Sequence, residues 1–94
     1  MRRPQVERRL TEVSTRLKSL REDLRVAEEQ VSQLAAEADD ARLRALVSET
    51  PLADREHREA ERHASRMQSH IEAVRSEIGR LETQQDELLD QMTA

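Results

Sequence analysis

The sequence predicts an all-α chain, two long helices folded back on each other as an antiparallel coiled-coil hairpin. Three observations carry that expectation. Apolar residues recur in alternating steps of four and three, aromatic residues are absent, and 38% of the residues are charged. A chain without Phe, Tyr or Trp lacks the large groups that dominate most globular cores. Abundant Ala, Glu, Leu, Arg and Gln in a heptad rhythm is the composition of long paired helices. Disorder shares the charge content but does not sustain such a period.

The first helix is expected over about residues 4–48. Its apolar positions run Val6, Leu10, Val13, Leu17, Leu20, Leu24, Ala27, Val31, Leu34, Ala38, Ala41 and Ala45 without a miss. That spacing lays one apolar stripe along a helix, the seam of a coiled coil. The second helix is expected over about 51–92. Its seam runs Ala53, His57, Ala60, Ala64, Met67, Ile71, Val74, Ile78, Leu81, Gln85, Leu88 and Met92. His57 and Gln85 are its only polar members, and polar seam residues more often fix register than bind a ligand.

The two runs are out of phase by five residues, an offset that neither a three- nor a four-residue insertion explains. A turn at about 48–50 resolves it. Pro51 cannot continue a helix but suits the first position of a new one. Thr50 is the expected N-cap, and the residue before a proline is biased away from helical angles, as a cap requires. Asp54 and Glu56 add negative charge to the early turns, where the helix dipole favours it. No Gly or Asn stands near Ser48 or Glu49 to end the first helix in the usual way.

Folding the chain at residue 49 pairs seam positions whose numbers sum to 98, so Leu17 meets Leu81 and Leu20 meets Ile78. Large side chains then lie far from the turn. Small ones lie near it, with Ala38 opposite Ala60 and Ala45 opposite Ala53. A parallel dimer of bent helices gives no reason for such a gradient. The 94 residues read as one domain. One narrow stripe per helix buries little area, and area-minus-entropy accounting for so thin a core comes out near zero. Self-association is therefore expected, with two hairpins closing a four-helix bundle as a homodimer.

Apolar residues off the seam are the candidate contacts. Leu43, Leu46 and Val47 share a helix face, and Leu52 follows across the turn. They either plug the end of the hairpin or form an exposed contact patch, rimmed by Asp39, Asp40, Glu49 and Asp54. Charges beside the seam match near the turn, where Arg42 lies opposite Asp54 and Arg44 opposite Glu56. In the middle they clash, because Arg21 faces Arg75 and Asp23 faces Glu77. Arg21 and Arg75 are thus further partner-binding candidates, places where a second chain would supply the opposite sign.

The net charge of −4 is uneven. Residues 1–25 hold eight basic against four acidic residues, 26–50 two against six, and 51–94 six against ten. Arg2, Arg3, Arg8 and Arg9 make the beginning basic, but nucleic-acid binding is disfavoured without stacking aromatics. Lys18 is the only lysine, an arginine preference that goes with GC-rich bacterial coding. With no cysteine, disulfides and thiol chemistry are excluded. Neither a signal peptide nor a membrane span is expected from the sequence, and with them absent a cytoplasmic location is the expectation.

Chemistry is not expected. Gly79 is the only glycine, which rules out a phosphate-cradling loop. His63 and His70 share a face near Glu59 and Glu61, but two turns separate the histidines, too far for one zinc ion. No catalytic residue, cofactor, metal or small-molecule substrate is anticipated. In architecture alone the layout resembles two groups of bacterial helical-hairpin regulators. Actinobacterial anti-sigma factors that bind cyclic di-GMP carry Glu, Ser, Arg, Gln and Asp at spacings of four, three, four and four. That pattern occurs in neither helix here, so its ligand is not carried over. The other group inserts an acid-tipped hairpin into the RNA polymerase channel. The expected function is a non-enzymatic protein–protein interaction module, an adaptor or regulator. The alternative is a transcription-linked regulator contacting RNA polymerase, a sigma factor or DNA.

Overall fold

A computed structural model describes residues 3–93. Arg2, counted above with the basic beginning, lies outside them. The described chain is two α-helices and no strand, joined as a helical hairpin: α1 spans Arg3–Ser48 and α2 spans Pro51–Thr93. The reversal occupies two residues. Pro51 opens α2, where its missing amide proton would have had no intrahelical partner. Thr50 caps it, its hydroxyl accepting a hydrogen bond from the Ala53 amide at 3.1 Å.

The end of α1 is solved without glycine. Glu49 takes the left-handed conformation, with φ of 50°, and its amide donates to the Ala45 carbonyl at 3.1 Å. A glycine after the last helical residue usually makes that bond, because an L side chain is strained there.

The chain divides into two compact units. One combines the stretch up to Leu24 with that from Ala73 onward. Its core is continuous: Val6, Val13, Leu17, Leu20, Val74, Ile78, Leu81 and Leu88 are buried, with Leu10, Leu24 and Met92 packed against them. The polar seam residue of this unit is satisfied across the helices. Gln85 donates its side-chain amide to the Ser14 hydroxyl at 3.1 Å. Arg21 reaches Glu82 at 3.3 Å. Both bonds join residues near the beginning of α1 to residues near the end of α2, as the antiparallel register requires.

The other unit is Arg25–Glu72, which contains the turn. Ala27, Ala41, Ala45, Ala53 and Ile71 are buried here. Val31, Leu34, Ala38, His57, Ala60, Ala64 and Met67 are only half-buried. At Leu34 the reason is size: in the register summing to 98 it meets Ala64, whose methyl cannot cover the flank of a leucine. The seam is thus more fully closed in the first unit, where only Leu10, Leu24, Gln85 and Met92 are half-buried, than in this one.

Candidate functional site

The surface of the unit Arg25–Glu72 carries most of the exposed apolar groups. Leu43 is 53% exposed, Leu46 63%, Val47 85% and Leu52 59%. Their heptad positions explain this. Leu43, Leu46 and Val47 fall on the side of α1 that points away from the seam, and Leu52 precedes the first seam residue of α2. They do not plug the hairpin end; the buried alanines Ala41, Ala45 and Ala53 do that. Val26 is also exposed in this unit, whereas among the described residues of the other Leu89 is the one large exposed apolar residue.

A second feature of the same unit is a depression of about 190 Å³ lined by Gln30, Gln33, Leu34, Glu37, His63 and Met67. The floor is apolar and the rim polar. Sequence patterning assigns Leu34 and Met67 to a closed seam. The signal that they stay partly open is the mismatch of Leu34 with Ala64, which the alternation of apolar and polar residues does not register.

The charged candidates behave differently from the apolar ones. Arg21 finds its counter-charge within the chain, in Glu82, and Arg75 is also engaged. Near Arg75, Arg80 forks onto Glu77 with bonds of 3.0 and 2.7 Å. The Arg80 hydrogen bond, opposed by desolvation and aided by the charges of Arg80 and Arg16, holds the Glu77 carboxyl below its ordinary value. The same bond raises the Arg80 guanidinium. Glu77, which the sequence register sets against Asp23, is thus paired about one turn along its own helix. The histidines stand apart from one another in role. His57 lies 2.8 Å from Glu61 one turn on, His63 borders the depression, and among the described residues no three such side chains converge as a metal site would need.

No helix among the described residues is long and apolar enough to cross a membrane. Comparison with known proteins returned no matching family model, no matching curated protein and no matching solved structure.

Proposed function

We propose that this chain is a non-enzymatic interaction module, an adaptor or regulator that binds a protein partner through the apolar surface beside its turn. The reading rests on one observation: four of the six large exposed apolar residues among the described residues, Leu43, Leu46, Val47 and Leu52, fall within ten residues of sequence around the turn. Contiguous apolar surface on a small protein usually marks a contact, because leaving it wet forgoes about 25 cal/mol for each Å² that a partner would cover. The seam beneath is made of alanines, so it loses nothing by leaving the leucines outside. In the same reading the protein acts in the cytoplasm, its helices pair as a coiled coil, and hairpins associate further into a four-helix bundle.

The test compares affinity capture by wild type, Leu46→Asp, and the Arg8→Glu/Arg9→Glu pair. A charge in the middle of the patch should abolish capture of the specific partner, while the arginine variant retains it. If Leu46→Asp captures the same protein as wild type, the patch is not the contact. Loss confined to the arginine variant, with polymerase, a sigma factor or DNA among the captured species, would move the assignment to the basic beginning of the chain.

A further inference from the structure

We infer that the partner presents a basic amphipathic helix, which lies along one flank of the unit Arg25–Glu72 with one apolar anchor over Val47 and Leu52 and another in the depression above Leu34 and Met67. The assignment rests on the apolar surface beside the turn being a protein contact; it adds the class of partner and the course of the contact.

Two rows of residues join the turn to the depression. On α1 they are Gln33, Glu37, Asp40, Arg44 and Val47, and on α2 Leu52, Glu56, Glu59 and His63, at alternating steps of four and three. Such steps keep side chains on one face of a helix. Gln33, Glu37 and His63 line the depression, so both rows run along the flank on which it opens. Every member of the two rows is exposed. Leu34 and Val47 are thirteen residues apart on α1, about 20 Å at a rise of about 1.5 Å per residue. Leu52 and Met67 are fifteen apart on α2, about 22 Å. A helix laid along the groove spans either gap in about fourteen residues, two heptads. At about 190 Å³ the depression is smaller than the roughly 300 Å³ at which small-molecule sites begin, and it suits a single side chain.

Between the two anchor points the flank is acidic. Glu37, Asp40, Glu56 and Glu59 stand against Arg44 alone in the two rows. None of the four acids has an ion-pair partner among the described residues. Arg55 and Arg62 lie on the back of α2, behind its row, and Arg66 lies beyond the depression. Unpaired acids along an apolar groove select a helix with Arg or Lys between its anchors, and they repel nucleic acid. They also disfavour a second copy of this chain. On α1 the exposed Val26 and Leu43 enclose five acids, Glu28, Glu29, Glu37, Asp39 and Asp40, against Arg42 alone, so that helix would bring like charge to the groove. On α2 no second anchor follows Leu52, because Arg66 stands two heptads on.

Fluorescence anisotropy of labelled helical peptides titrated with the full chain tests it. The probe is an alanine- and glutamine-based helix with two leucine anchors two heptads apart and arginines between them on the same face. A control peptide carries glutamate in place of each arginine. Wild type should bind the arginine peptide about tenfold or more tighter than the control, and added salt should narrow the difference. Ala64→Leu places a larger side chain opposite Leu34, fills the depression without touching the turn, and should weaken the arginine peptide about tenfold. Glu37→Arg/Glu59→Arg should weaken it to a similar degree and let the glutamate peptide bind. Val47→Asp should abolish binding. Far-ultraviolet circular dichroism checks that the variants keep the helix content of wild type. The assignment is overturned if wild type binds neither peptide or binds both equally. Loss with Val47→Asp, while Ala64→Leu and the double reversal bind as wild type, also overturns it but leaves the contact beside the turn in place. Binding that survives Val47→Asp counts against both. A fall in bound peptide as the chain is concentrated would mean that a second copy takes the groove, and this too overturns the assignment.

Discussion

Glu49 has the backbone conformation least suited to its side chain. Left-handed angles cost a non-glycine residue on the order of 1 kcal/mol, because Cβ crowds the following carbonyl. The chain accepts that strain because the Glu49 amide must reach the Ala45 carbonyl for α1 to stop. Glycine at this position removes the clash but has more conformational freedom to lose on folding. Relief should exceed that loss, so Glu49→Gly is expected to stabilise by about 0.5–1 kcal/mol and raise the melting temperature by a few degrees. Ser48→Gly, one residue earlier and inside the helix, should lower it by a similar amount. Thermal melts of the two variants decide the matter, and a drop for Glu49→Gly would mean that the strain is not there.

Within the helices, layer size governs how much each seam residue contributes. Leu20 is 4% exposed in a layer of large side chains, whereas Leu34 faces an alanine and stays half-buried. Leu20→Ala should therefore cost about 2–5 kcal/mol in denaturant melts. Leu34→Ala removes a side chain that is already partly wet and should cost only about 1 kcal/mol. Equal losses would mean that the seam is uniform. The seam itself was legible before any coordinates: all twelve heptad positions of each helix are buried or half-buried. Outside them only Glu77 and Gln84 are even partly covered. Legibility ended where the answer depended on side-chain reach. Facing positions set Arg21 against Arg75, yet a long flexible side chain let Arg21 find Glu82 instead. The exposure of Leu43, Leu46, Val47 and Leu52 follows from their places off the stripe. The depression over Leu34 and Met67 does not, because apolar patterning treats Ala64 and a leucine as equivalent. The missing glycine after Ser48 marked the turn as unusual, but not that Glu49 itself would take the left-handed angles.

Taken over the full chain, burial is thin for 94 residues. The buried core contains no aromatic residue, and four of its thirteen members are alanines, Ala27, Ala41, Ala45 and Ala53. So little apolar volume sits close to the point where hydrophobic gain and chain entropy cancel. Association adds stability by mass action, about 1.4 kcal/mol for each tenfold rise in concentration above the dissociation constant. If hairpins pair in solution, the melting temperature must rise with protein concentration, by several degrees over a hundredfold range for a domain of this size. An isolated hairpin unfolds in a unimolecular step, and its melting temperature is independent of concentration. Calorimetry across that range at low salt, repeated at high salt, separates the two. A rise at low salt that flattens at high salt is expected of pairing through charged faces, whereas a rise that survives high salt points to the apolar patch as the surface that holds the copies together. A flat line in both conditions would leave the hairpin folding alone, and the exposed leucines beside its turn would then await a different protein.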